Sequence, residues 1–404
     1  MANTIKLKRG TSTPSTSDIS SGEVAIDTSA KKLYINDSGT VKEIGGGAGT
    51  GESFVKFKNN SGALANNGTN AYVGYNSGGS LSSGAENALY GYEAGYVLST
   101  GSNNAFFGAV AGRYITTGSS NSGFGHETLR TLSTGSNNTA VGKEALRSAT
   151  TASSNTGIGY KALYANTTGY ESVAIGTNAL GANTTANSNV AVGVEALQTN
   201  TTGDSQVAVG KEALRYCTTG AANTAIGLQA LKNMTTPDNN TAVGYLAARN
   251  VTTGYQNVIV GARSGETMTT GMKNTILGYY CAYGTTTGQS NVYLGFQVAT
   301  AATTAGYNVG IGRQCFEQLT TGGMNVAIGY QSGDALTTGG DNTFIGTETG
   351  TGAQTVNRAV MIGYAAGRGV MTSDAGGAIG IGQYCLEDLT SGARNVAVGG
   401  NAGK

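Results

Sequence analysis

The chain has 404 residues, of which 66 are Gly and two are Pro, and it contains no Trp. Charged residues make up 12% of the sequence and the formal net charge at pH 7 is +1, so no basic surface for nucleic acid is expected. No apolar run approaches the roughly 20 residues that cross a bilayer, and the segment "MANTIKLKRG" lacks the apolar stretch of a secretory signal. Neither membrane insertion nor secretory export is therefore predicted.

The N-terminal residues, 1–46, differ in pattern from the rest of the chain. Short alternating runs, "TIKLKRG", "GEVAIDT", "KLYIND" and "TVKEIG", are separated by residues typical of turns. They predict a small β module of about four strands. A module of this size buries little apolar area, so oligomerisation is expected to support it. Residues 47–69, which include "GGGAGTGES", are predicted to be a linker and the start of the next region.

A 17-residue repeat fills the remainder. A glycine recurs at every seventeenth position from Gly74 to Gly363, and steps of nineteen and seventeen then lead to Gly382 and Gly399. Tandem repeats of this length are typical of solenoids, in which each repeat buries its apolar side chains only against its neighbours. The sequence predicts a mainly β fold, an elongated parallel β-solenoid of about twenty rungs, regular over residues 70–346 and irregular over residues 347–404.

Each rung is numbered here from that glycine as position 1. Positions 14–17 read Asn, Thr or Val, Ala, then Val or Ile, which favours a short strand, and Asn at position 14 is expected to bridge neighbouring rungs through its side-chain amide. In-register stacking would align the residues at position 17 into one apolar row. That row is predicted to be the structural core, and it comprises Val141, Ile158, Ile175, Val192, Val209, Ile226 and Val243.

The middle of the rung shows an exchange of side-chain volume. Position 8 is small or polar where position 5 is Leu, as in Leu146 with Ala149, and large where position 5 is Gly, as in Gly78 with Leu81. Residues three apart share a face in a helical turn, so the segment "KEALRSA" is predicted to form one. The following "TTG" is predicted to reverse the chain.

No catalytic, cofactor or metal site is predicted. His126 is the only histidine, and the four cysteines replace small residues of the repeat, which favours buried structural thiols. Stacking would bring Glu127 close to Glu144, and Glu195 close to Glu212, as in the carboxylate pairs of glycosidases. Since Lys143 and Lys211 lie beside these glutamates in sequence, a solvated charged face is favoured instead.

Residues 5–44, "IKLKRGTSTPSTSDISSGEVAIDTSAKKLYINDSGTVKEI", resemble the N-terminal module of tail fibres and receptor-binding fibre proteins of tailed phages. The resemblance lies in a strand ending in R-G-T, followed by G-E-x-x-x-D-T and K-L-Y. It implies a trimeric module that attaches to the virion, with Arg9, Gly10, Gly22, Glu23 and Asp27 as its motif residues. The repeats resemble those of phage fibres and, more distantly, the heads of trimeric autotransporter adhesins.

This resemblance implies a homotrimeric external fibre of the virion. Its expected partners are copies of itself, a baseplate, tail or collar protein at the N-terminal end, and a host-surface glycan or protein at the C-terminal end. The irregular stretch from Thr347 to Gly382 is the expected ligand-facing region. Two alternatives remain open: a purely structural filament whose receptor-binding tip is another chain, and a bacterial surface adhesin.

Overall fold

The computed structural model describes the strands within residues 8–44, Ser15, and all of residues 70–404. The chain divides into two compact units, residues 1–55 and 56–404. The predicted linker, 47–69, lies outside the described residues, as do Gly22 and Glu23.

Four strands of the first unit form one sheet in the order β1-β2-β3-β4. Their bounds are β1 Lys8–Gly10, β2 Val24–Asp27, β3 Lys32–Asp37 and β4 Thr40–Ile44. The pairing is parallel between β1 and β2 and antiparallel from β2 to β4, and it places Gly10 opposite Asp27.

Within residues 70–404, the second unit contains twenty strands of three residues each, one per repeat. The strands are β5 Ala71–Val73, β6 Ala88–Tyr90, β7 Ala105–Phe107, β8 Ser122–Phe124, β9 Thr139–Val141, β10 Thr156–Ile158, β11 Val173–Ile175, β12 Val190–Val192, β13 Val207–Val209, β14 Thr224–Ile226, β15 Thr241–Val243, β16 Val258–Val260, β17 Thr275–Leu277, β18 Val292–Leu294, β19 Val309–Ile311, β20 Val326–Ile328, β21 Thr343–Ile345, β22 Val360–Ile362, β23 Ile379–Ile381 and β24 Val396–Val398. A 3-10 helix, Ser373–Ala375, lies between β22 and β23.

These strands form a single parallel ladder. Each one pairs with the strand before and after it in chain order, with equal repeat positions opposite each other, so that Ile226 lies between Val209 and Val243. Among the described residues β5 contacts only β6 and β24 contacts only β23, so the ladder is an open stack rather than a closed barrel. The predicted parallel β-solenoid is confirmed. At a strand spacing of about 4.8 Å, its twenty rungs span roughly 90 Å.

The predicted core row, however, is wrong. Val141, Ile158, Ile175 and Ile226 are 36–40% exposed, and Val192, Val209 and Val243 are half-buried. Successive strand residues point to opposite sides. The central residue at position 16 points inward, for example Ala225, and therefore positions 15 and 17 point outward.

The interior is formed by positions 4, 5, 8, 11, 14 and 16. In one representative rung these positions are fully or almost fully buried, and their residues are Ala145, Leu146, Ala149, Ala152, Asn155 and Gly157. A small side chain at position 5 is accompanied by a large one at position 16 as well as at position 8. A Cβ added at Gly112, for instance, would lie 2.5 Å from the ring of Phe106. Gly at position 5 therefore makes room for a large residue at position 16.

The predicted helical turn is also wrong. Glu144 and Leu146, at positions 3 and 5, have φ of +61° and +51°, whereas a right-handed helical turn needs consecutive negative φ values. The segment consists of tight turns whose backbone groups bond to adjacent rungs. The amide of Leu146 donates to the Ala162 carbonyl, and the amide of Glu144 donates to the His126 carbonyl. Residues three apart share a face here because the chain turns tightly, not because it is helical.

A buried asparagine ladder at position 14 joins the rungs from within. Asn257 Nδ2 donates to Asn240 Oδ1 at 3.0 Å and to the Gly271 carbonyl at 3.0 Å. Its own Oδ1 accepts from the backbone amide and Nδ2 of Asn274, at 3.0 and 3.1 Å. The predicted bridging role of this position is confirmed. Four members of the ladder are not Asn, namely Ser172, Gln206, Ala359 and, in the lengthened repeat, Ala378.

Candidate functional site

The surface of the solenoid unit has three features that could carry function: a charged edge, a groove at the irregular rung and an apolar face. The charged edge is formed by positions 3 and 6, where acidic side chains pair with basic side chains of the same or neighbouring rungs. Arg215 lies 3.1 Å from Glu195 and 3.2 Å from Glu212, and Lys232 lies 2.7 Å from Glu212. Arg215 also lies over the ring of Tyr216, 5.1 Å from its centroid.

The four glutamates considered as catalytic pairs belong to this edge, and each is in an ion pair. Glu127 accepts from Arg147 at 2.5 Å, and Glu144 lies 3.7 Å from Lys161. The hydrogen bond from Lys232 lowers the pKa of Glu212 despite the opposing effect of burial. A general acid of a glycosidase needs a raised pKa. The arrangement therefore matches the predicted charged face, although Glu212 is buried rather than solvated, and it does not favour a carboxylate pair that transfers protons.

In the rungs that contain Glu317, Asp334 and Glu348, positions 3 and 6 of the charged edge hold no basic side chain. One carboxylate oxygen of Asp334 is buried without a hydrogen-bond partner. Burial raises the pKa of Asp334 to about 6, and the negative charges of Glu317 and Glu348 act in the same direction.

We expect this carboxyl group to make stability depend on pH. In the folded state the pKa of Asp334 is raised above its usual 3.8. The contribution of this group to the stability of the fold is therefore fully present below pH 3.8 and is lost as the pH rises through about 6. Asp334→Asn should therefore unfold at a higher temperature than the wild type at pH 7, and the difference should disappear near pH 4.

Thermal unfolding between pH 4 and 8 checks this expectation. Asp341→Asn, at an exposed position seven residues later on the same rung, is the matched control and should follow the wild type at every pH. Parallel profiles for wild type and Asp334→Asn would show that Asp334 is solvated and ionised throughout.

The groove lies where the repeat lengthens by two residues. Val360 in β22 still pairs with Ile379 in β23, so the extra residues are accommodated outside the ladder, next to the 3-10 helix. The groove has a volume of about 480 Å³. It is lined by Asn357, Arg358, Ser373, Asp374, Gly376, Gly377, Ala393 and Arg394. The stretch that was expected to face a ligand thus has a concave surface with exposed polar groups, and ligand binding there stays a prediction.

The apolar face was not predicted from the sequence, because the row at position 17 was expected to lie in the core. This face consists of the outward residues at positions 15 and 17 of the twenty strands, two from each. None of these forty residues is charged; position 17 is apolar throughout, and position 15 is Ser or Thr in seven strands and apolar in the others. Position 2, next to it along the chain, is often aromatic. Tyr75 and Tyr92 are about half exposed and stack with ring centroids 5.6 Å apart. At one end of the face Tyr90, Phe107 and Phe124 stack at 4.7 and 5.0 Å.

The cysteines lie in the interior. All four are free and buried, as their repeat positions predict. Burial raises the pKa of the Cys281 thiol to about 12 and that of Cys315 to about 11, so neither is a thiolate at neutral pH. Residues 70–404 and the described strands before them contain no cluster of side chains suited to a metal ion, and no helix among them has the length and apolar character to cross a membrane.

The fold defines the chain as a tandem-repeat protein with a parallel β-solenoid. Comparison with protein-family models, curated proteins and solved structures finds no match to it.

Proposed function

We propose that the chain is a subunit of a homotrimeric phage fibre, a stiff spacer that projects from the virion and takes part in attachment to the host surface. The observation that carries this proposal is the uninterrupted stack of twenty in-register rungs. A ladder of this kind has contacts only between neighbouring rungs and extends in one direction. This geometry suits a spacer that holds two binding regions far apart.

The interior contacts support a stiff spacer. Backbone hydrogen bonds connect adjacent rungs in the turns as well as in the strands, and the asparagine ladder adds buried side-chain bonds in most rungs. Bending the stack would lengthen several of these bonds at once. Position 9 contributes further links on the outside, such as the Thr184 hydroxyl, which donates to the Thr201 carbonyl at 3.0 Å.

The resemblance of residues 5–44 to the N-terminal module of phage fibres supports the virion end of the proposal. In this arrangement the N-terminal unit binds a baseplate, tail or collar protein. The irregular rungs after Gly346, with their groove, are the proposed region for a host-surface glycan or protein.

The location of the chain tests the proposal directly. Antibodies raised against the solenoid and visualised by electron microscopy should label thin fibres on phage particles released from the producing culture. Label confined to bacterial surfaces, with none on particles, would contradict the fibre proposal and favour the adhesin alternative.

Competition separates attachment from a purely structural role. Purified full-length chain, added to host cells before the phage, should reduce adsorption if the chain itself binds the receptor. Labelled fibres together with unchanged adsorption would mean that another chain supplies the receptor-binding tip.

A further inference from the structure

Over residues 70–404 the apolar face continues without a charged side chain, although charged residues make up 12% of the sequence. Position 17 is Val, Ile, Leu, Phe or Tyr in every strand from β5 to β24. The charges are concentrated elsewhere on the rung, at positions 3 and 6. Ile226 is 40% exposed and lies between two other apolar residues of the same row.

The size of this face is that of a protein–protein interface. A strand of three residues is about 10 Å long, and twenty rungs extend over roughly 90 Å, so the face covers roughly 900 Å² of each chain. The largest apolar patch of a monomeric protein is usually about 300–600 Å². A stable interface buries about 800 Å² on each partner.

The regular spacing of the face limits what can cover it. A partner that fills all twenty rungs must present apolar side chains at the same interval of about 4.8 Å. A partner chosen by charge has no groups to pair with at positions 15 and 17. Another copy of this chain, parallel and in the same register, has the required interval along its entire length.

We infer that this face joins copies of the chain, with equal repeat positions at equal height, so that the Ile226 side chains of neighbouring copies contact one another. The inference rests on the proposed trimeric fibre and names the surface that assembles it. Position 17 lies nearest the symmetry axis, and positions 15 and 2 lie on either side of it. The tyrosines at position 2 then pack against a neighbouring copy while their hydroxyl groups remain in contact with water.

Charged substitutions on the face provide the first test. In the full-length chain, replacing Ile158, Val192 and Ile226 together by Asp should reduce the particle mass threefold, from trimer to monomer, because the three carboxylates would be buried at the interface without partners. Circular dichroism should show that the strands persist. Met324→Asp is the matched control, because Met324 is 62% exposed at position 13, outside the face, and this variant should keep the wild-type mass.

Cysteine cross-linking provides the second test and does not depend on weakening the assembly. Ile226→Cys should form covalent dimers under mild oxidation, whereas Met324→Cys should not, and the native cysteines are buried.

The two tests distinguish a failure of the inferred interface from a failure of the fibre proposal. A trimer that survives the triple substitution and does not cross-link through position 226 would overturn the inferred face and leave the fibre proposal standing. A wild-type chain that stays monomeric at all concentrations would overturn both. Cross-linking at position 226 in a two-chain particle would confirm the face and contradict the trimer.

Discussion

Gly244→Ala is expected to break the solenoid locally and to give a large loss of stability for a change of one methyl group. Gly244 has φ of +139°, and an added Cβ would lie 2.6 Å from the carbonyl oxygen of Gly261 in the next rung. The obstacle is backbone, so no side-chain rearrangement relieves it. Backbone strain and overpacking together should cost roughly 3–6 kcal/mol.

Limited proteolysis is the suitable measurement, because a stack of repeats does not unfold as one two-state unit. The variant should be cut rapidly between residues 230 and 275, where the wild type resists. Gly181→Ala is the control. Gly181 lies at position 6, where most other rungs carry a longer side chain, and an added Cβ would lie 3.2 Å from the nearest atom, the Asn178 carbonyl oxygen. The free energy of unfolding of the Gly181→Ala variant should differ from that of the wild type by less than about 1 kcal/mol. Equal protease resistance in both variants would show that the rungs are not in the close contact described.

Asn257→Ala is expected to produce the second-largest effect, through the interior ladder. The substitution removes the acceptor of the Asn274 backbone amide and the donor to the Gly271 carbonyl, and it leaves both groups buried. Each unsatisfied group costs about 1–3 kcal/mol, so the local loss should be about 2–5 kcal/mol. Amide hydrogen exchange should become faster in the rungs that contain residues 240–291 and remain unchanged at more distant rungs.

Two matched variants sharpen this expectation. Asn233→Ala removes one half-buried bond, to Asn250 at 2.9 Å, and should change exchange little. Ser172→Asn should slow exchange locally, because it places an amide where the ladder now has only a hydroxyl group. Unchanged exchange in both the Ser172→Asn and the Asn257→Ala variants would contradict the ladder as the source of interior stability.

The sequence predicted the period and the register of the fold well, because one feature controls both. A glycine at position 1 allows its own rung to approach the backbone of the next, and since this requirement recurs in every rung the spacing is kept. The asparagine ladder was predictable for a similar reason, since a polar side chain that recurs inside an apolar pattern needs a partner that recurs with it.

The direction in which each strand residue points was not predictable from composition. A three-residue strand gives too few alternations to decide which side is buried, and Val or Ile at position 17 is more apolar than Ala at position 16. The signal that could have decided it is the matching of volumes, because Phe106, Ile259 and Phe344 at position 16 occur with Gly112, Gly265 and Gly333 at position 5.

The turns were misinterpreted because a shared face every three residues does not distinguish a helical turn from tight turns with positive φ. Leu146 and Phe316 adopt positive φ, at +51° and +54°, although bulky residues seldom do. Their burial and the hydrogen bonds to adjacent rungs stabilise this conformation, and neither is visible in a single repeat. Gly at position 5 in other rungs was the available indication.

Electron cryo-microscopy of the purified full-length chain tests the central claim most directly. We predict a straight rod with three parallel copies related by a threefold axis, a rung spacing of about 4.8 Å, and the position-17 row of Val141, Ile226 and their equivalents next to the axis. Rods made of one chain, with that row facing solvent, would contradict the account.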